Sequence, residues 1–190
     1  MSALEGAPAW VDGWLSSARH CPSPFFDRRP REATPELVVV HAMSLPAAQF
    51  GTGCPAALFE GVLDCSAHAG LAALRDVRVS AHFLIERDAR LTQFVGVLDR
   101  AWHAGESSWQ GRAACNDYSI GIELEGEDET PYDDRQYPVL QGVIRALCTA
   151  YPEISPREVA GHSDIAPGRK TDPGPAFDWL RLYDGLVPTD

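Results

Sequence analysis

An α/β fold, a mixed central β-sheet flanked by helices, is predicted by three features of the chain. Leu37-Val38-Val39-Val40-His41-Ala42-Met43 is a continuous apolar run rich in β-branched residues, bounded by Pro35 and Pro46, which is the pattern of a buried strand. Arg78–Glu86 and Leu91–Val97 read as two further strands joined as a hairpin around Asp88-Ala89. Leu140, Val143, Ile144 and Leu147 recur at helical spacing and give an amphipathic helix to cover such a sheet.

Taken in order, residues 1–36 carry Pro8, Pro22, Pro24, Pro30 and Pro35 and read as an irregular surface arm pinned by Trp10, Trp14, Phe25 and Phe26. Arg28, Arg29 and Arg31 in that arm read as a solvated charge run, with guidance of an anionic ligand as the alternative. After the first strand and a loop over 46–53, Leu58, Phe59, Val62 and Leu63 predict a helix over 55–64. Leu71 and Leu74 predict a second over 66–75. Ala101–Gly105 reads as extended, and Tyr118–Glu125 alternates apolar with small or polar residues, as a strand with two unlike faces does. Asp133-x-x-Gln136 is a box-like start for a helix to about residue 150, with Pro138 tolerated in its first turn. Pro175–Leu182 predicts a closing helix with proline at its start.

The 190 residues fit one domain, 1–190, able to bury an ordinary core. A net charge of −11 sets the protein against phosphate backbones and anionic membranes, so no nucleic acid and no membrane partner is expected. No apolar run approaches the roughly 18 residues of a membrane span. The N-terminus lacks a basic segment followed by an apolar one, so a cytoplasmic location is expected. Five scattered cysteines without Cys-x-x-Cys exclude a disulfide framework and a four-cysteine zinc site.

Gly161–Pro175 holds His162, Asp164, Lys170 and Asp172 among glycines and prolines, too many breakers for a helix or a central strand. It reads as a stiff loop presenting reactive groups. Among the six histidines, His41 and His162 each stand where an apolar segment gives way to a loop, a position that fixes an imidazole well. With Asp172 they form two histidines and a carboxylate, a recurring set of three protein ligands for catalytic zinc. A metal-free pairing of His162 with Asp164 or Asp172 remains open on spacing, because no His-Glu-x-x-His is present. His82, mid-strand, reads as a hydrogen-bonded core histidine, His68 as surface, His20 as part of the arm, and His103 as a possible pocket border.

The strand ending in His41, Val79–Ile85, Ala101-Trp102-His103-Ala104-Gly105, Asn116–Gly126 and Gly161–Gly174 together resemble the AmpD family of 1,6-anhydro-N-acetylmuramyl-L-alanine amidases. The resemblance runs in order over about residues 10–185. It implies the zinc amidase, peptidoglycan-recognition-like fold, with a mixed, mainly antiparallel-edged sheet. One Zn²⁺ per chain would be held by His41, His162 and Asp172, with Glu123 and Lys170 as the catalytic groups. The substrate would be an anhydromuropeptide, cut between the lactyl group and L-alanine, in cytosolic peptidoglycan recycling by a monomer. Arg78, Trp102, His103, Arg112 and Ala166 are the candidates for substrate contacts.

The chemistry is coherent by itself: amide hydrolysis needs an activated water, a proton carrier and a cation near the developing oxyanion. Pattern alone does not separate Glu123 from Glu125, two residues along on the same face; the resemblance favours Glu123. Relatives tend to carry a basic residue where this chain has Ala114, directly before Cys115-Asn116-Asp117, and often a cysteine where it has Ser163. Either Arg112 replaces that basic residue or substrate binding is weaker. A non-catalytic peptidoglycan-binding module is the rival reading, and it is disfavoured because such proteins usually lose a zinc ligand.

Overall fold

The computed structural model describes residues 9–186. In chain order the strands are β1 (Trp10–Val11), β2 (Trp14–Leu15), β3 (Arg19–His20), β4 (Phe26–Arg28), β5 (Leu37–Met43), β6 (Phe83–Ile85), β7 (Leu91–Gln93), β8 (Asp99–Ala101), β9 (Ser108–Trp109), β10 (Arg112–Ala113), β11 (Ser119–Glu125) and β12 (Val159–Gly161). The α-helices are α1 (Cys54–Phe59), α2 (Gln136–Ala150), α3 (His162–Ile165) and α4 (Trp179–Asp184). Six strands form one sheet in the order β12-β5-β11-β6-β7-β3.

This is the α/β architecture expected, but the sheet is not mainly antiparallel-edged. Every junction except the β6–β7 hairpin is parallel, including the edge pair β3–β7. The parallel centre explains why β5 and β11 are buried along their length: crossovers place chain on both faces of such strands.

One face of the sheet is uniformly apolar. Val38, Val40, Phe83, Ile85, Ile120, Ile122 and Leu124 pack against Leu140, Val143, Ile144 and Leu147 of α2 and Leu182 of α4. Helix α2 spans the expected range, with Pro138 in its first turn and the Gln136 side chain accepting from the Asp133 N–H at 3.0 Å. The opposite face has smaller clusters, around Leu37, Val39 and Ala160 on one side and Phe59, Leu84 and Phe94 on the other.

Local differences from the sequence reading have local causes. Helix α1 stops at Phe59 because Gly61 takes a left-handed turn, φ 73°, which leaves Val62 exposed. Residues 66–75 hold only a 3₁₀ turn, Ala69–Leu74, capped by the exposed His68, whose ring accepts from the Gly70 N–H. The first hairpin strand is confined to β6: the Ser80 N–H turns to the Trp102 carbonyl outside the hairpin, while His82, just before β6, donates to the Gly121 carbonyl and accepts from the Phe94 N–H. The closing helix starts later, capped by Asp178 rather than Pro175.

The described part of the arm is built from short strands. β3 closes the sheet edge and β4 pairs with β8. Trp10 meets Tyr151 edge-on, Trp14 leans on His20 and Phe25 stacks on Trp102, whereas Phe26 is exposed and pins nothing. Arg29 does not belong to a solvated run. Its guanidinium turns inward and donates to the carbonyls of Val97, Asn116, Asp117 and Ser119 at 2.8–3.3 Å.

Candidate metal centre

The sheet lays its functional groups side by side. In the parallel register Glu123 of β11 stands opposite His41 of β5, so both side chains leave the same face. On the other flank Gly161 stands opposite Val40, and His162 follows one residue later at the level of His41. Three adjacent parallel strands thus bring His162, His41 and Glu123 together near their carboxyl ends, where open α/β sheets place ligands.

Asp172 arrives from the loop. The Ser163 N–H donates to the Asp172 carbonyl at 2.9 Å, closing the ten-residue excursion, and the Asp164 carboxylate takes the Gly161 N–H at 2.7 Å. Asp164 is therefore a turn-former at the start of α3. Asp172 Oδ2 lies 3.1 Å from His162 Nδ1 and 3.5 Å from His41 Nδ1, and the two Nδ1 atoms are 2.9 Å apart. These three atoms lie within 4.8 Å of one another.

The donor set fits a dication. The far side of His162 is engaged: its Nε2–H points at the Ala104 carbonyl, 3.2 Å away, which leaves Nδ1 as a lone pair. His41 Nε2 is likewise engaged, 2.8 Å from His103 Nδ1. Burial pulls the His41 imidazole down to about 4, against the raising effect of the Asp172 hydrogen bond, so it is neutral at physiological pH. Burial alone would raise the Asp172 carboxyl, and the neighbouring His162 and His41 bring it on balance below the usual carboxylate value. Two bare imidazole nitrogens and a carboxylate crowded at about 3 Å repel one another unless a cation lies between them.

A cleft of about 160 Å³ opens beside this cluster, lined by His41, Trp102, His103, Glu123, His162, Lys170 and Asp172 with Phe59, Val79 and Met43. Glu123 is 4 % exposed, and burial, then the neighbouring Asp172 charge, raise its pKa well above the usual carboxylate value. Glu125 is used otherwise. Its oxygens accept the backbone N–H groups of Gly51 and Arg87 at 2.6 and 3.1 Å, tying two loops to the sheet.

The other sequence candidates divide. Trp102 and His103 line the cleft, and Trp102 is backed by Phe25; Arg78 is not among the lining residues, its guanidinium lying 5.6 Å from the Phe25 ring. Arg112 does not join the cleft: it pairs with Glu36 at 2.8 Å and stacks 3.8 Å over the Tyr118 ring. Ala166 packs into the apolar cluster of Leu37 and Ile165. His82 is the core histidine expected, accepting from the Gly121 N–H at 3.0 Å and facing the Asp99 carbonyl at 3.2 Å. Sequence reasoning missed Arg29 and Asn116. The Asn116 Oδ1 accepts the N–H groups of His103 and Ala104 at 3.1 and 2.8 Å. Asn116 lies within Asn116–Gly126, one of the stretches that resemble the family, and is the more findable of the two.

A family model described as N-acetylmuramoyl-L-alanine amidase matches residues 31–175. The chain belongs to that family. It is an amide hydrolase by membership, which bears out the resemblance of its motifs. Among curated relatives, the 1,6-anhydro-N-acetylmuramyl-L-alanine amidase AmpD of Escherichia coli K12 is 55% identical over 170 residues, covering 90% of this chain and 92% of that protein. The Citrobacter freundii protein of the same name is 52% identical over 178 residues, 94% and 95% of the two chains. A crystal structure of a selenomethionine AmpD derivative superposes with a TM-score of 0.91 at 51% identity, covering 94% of this chain and 99% of that one. The Escherichia coli amidase AmiD, solved with anhydro-N-acetylmuramic acid-L-Ala-D-γ-Glu-L-Lys, gives 0.59 at 28% identity, over 96% of this chain and 67% of that one.

Proposed function

We propose that the chain is a zinc-dependent amidase that hydrolyses the amide between the lactyl group of 1,6-anhydro-N-acetylmuramic acid and the L-alanine of a stem peptide, in peptidoglycan recycling. The observation that carries this is the convergence of His41, His162 and Asp172 on one point beside Glu123, within a chain whose AmpD relatives match nearly end to end. One Zn²⁺ per chain would be held by those three residues, and when bound it would supply a Lewis acid that makes water a nucleophile near neutral pH.

The chain's own groups do the rest. Glu123, its pKa raised by burial and by the Asp172 charge, takes the proton of the attacking water and returns it to the leaving amine. Lys170, on the cleft wall, places a cation where negative charge develops on the amide oxygen. Trp102 gives an apolar wall for the fragment, and Arg78, beside the Phe25 ring that backs Trp102, is the cation proposed for its anionic peptide. The cleft is smaller than the roughly 300–1,000 Å³ that encloses a whole drug-sized ligand, so it grips the scissile end and leaves the peptide tail outside.

We take the working unit to be one domain and one chain, because the residues of one chain suffice to form the metal group and its cleft. A cytosolic setting suits the five free cysteines and the soluble fragment. No helix among the described residues is long and apolar enough to cross a membrane. The test is a rate comparison: purified enzyme should cleave anhydromuramyl-peptide faster than polymeric peptidoglycan. The reverse preference would assign it to intact wall instead.

A further inference from the structure

We infer that His103 is a positioning residue: by accepting the Nε2 proton of His41 it obliges His41 to present Nδ1 to the metal. This deepens the zinc reading above and rests on it.

The proton order follows from the far end of a chain of contacts. The Cys115 carbonyl can only accept, so the single hydroxyl proton of Ser119 goes there, at 2.6 Å. The Ser119 oxygen then acts as acceptor toward His103 Nε2–H, 3.2 Å away. A neutral imidazole has one N–H, so His103 Nδ1 is bare and takes the proton of His41 Nε2 at 2.8 Å. What remains on His41 is the Nδ1 lone pair, which faces His162 and Asp172.

The surroundings hold His103 in place. Its ring lies against Gly121, where a Cβ would come within 2.5 Å of the imidazole Cγ, so only glycine leaves space on β11 for it. Asn116 fastens the backbone N–H groups of His103 and Ala104, and Arg29 holds the carbonyls of Asn116 and Ser119 at 3.1 and 2.8 Å. The next residue serves the second ligand, since the Ala104 carbonyl faces His162 Nε2. Residues 103 and 104 together therefore fix the orientation of both histidine ligands, the kind of outer support that tunes metal affinity.

The experiment measures zinc affinity of the full chain by competition with a chromophoric chelator, for wild type, His103→Leu and His103→Asn. Leucine should cost about 10–100-fold in affinity. Asparagine, whose Oδ1 takes the place of the ring Nδ1 as acceptor, should retain most of it. Equal affinity in wild type and His103→Leu overturns the inference, as does an equal loss in both variants. Imidazole ¹⁵N NMR of the wild type provides a second readout that needs no folded variant. The His103 proton should lie on Nε2, and its presence on Nδ1 overturns the proton order. Failure of the wild type to bind zinc would sink the metal reading, while the NMR spectrum still decides the order of protons.

Discussion

Strand β11 has two faces that do different work. Ile120, Ile122 and Leu124 point into the apolar layer beneath α2, where their neighbours are hydrocarbon. Ser119, Gly121, Glu123 and Glu125 point the other way. There Ser119 contacts His103, Gly121 makes room for that ring, Glu123 borders the cleft and Glu125 ties down two loops. Both faces are buried, so burial does not distinguish them. The α2 face has its needs met by packing. The site face keeps a carboxyl and two imidazoles desolvated at a cost, an arrangement expected where chemistry takes precedence over stability.

If that division is right, mutations on the two faces should produce separable defects. The largest is expected at Glu123. Glu123→Gln should retain zinc while its turnover falls by about 10²–10⁴-fold, the usual weight of a general acid–base group. Steady-state kinetics beside metal analysis checks this, and undiminished turnover would move the proton carrier elsewhere. On the opposite side, Leu140→Ala in fully buried α2 packing should cost about 2–5 kcal/mol in denaturant unfolding. The folded fraction should keep its kcat.

The smallest effect is a gain. Because the Glu123 pKa is raised on folding, its protonated form is favoured in the native state. The stability this contributes is fully present below the unfolded carboxyl pKa of about 4.3 and is lost as pH rises through the folded value. Metal-free Glu123→Gln escapes that loss. Its melting temperature should equal that of wild type near the acid end and exceed it increasingly toward neutral pH. A gap that stays constant with pH would mean that Glu123 is not strained by burial.

Much of this was legible in the residues. The β-branched run of β5, the alternation of β11 and the helical spacing of α2 each state their burial in a local pattern, and the structure follows them. His41, His162 and Asp172 stood out as strand-end and loop residues, and the structure brings them together. What was not legible depends on partners distant in sequence. Parallel pairing of β5 with β11 and β12 cannot be seen in any one strand, yet that pairing aligns His41, Glu123 and His162. Glu123 and Glu125 share a face and a residue type, and only the loops that meet Glu125 tell them apart. Arg29 looked like one of three surface arginines because nothing in the arm announces the four carbonyls its guanidinium reaches across the fold.

The central claim is that the buried His41 Nδ1 and His162 Nδ1 and the half-buried Asp172 Oδ2 are arranged for one dication. Metal analysis of the purified chain after zinc supplementation and removal of loose ions tests it most directly, with Asp172→Ala measured beside the wild type. The account predicts about one zinc per wild-type chain. It predicts a loss of affinity in the variant beyond the ~10–100-fold seen for outer-shell changes. A wild-type chain without zinc, or an Asp172→Ala chain that holds it equally well, would contradict the account.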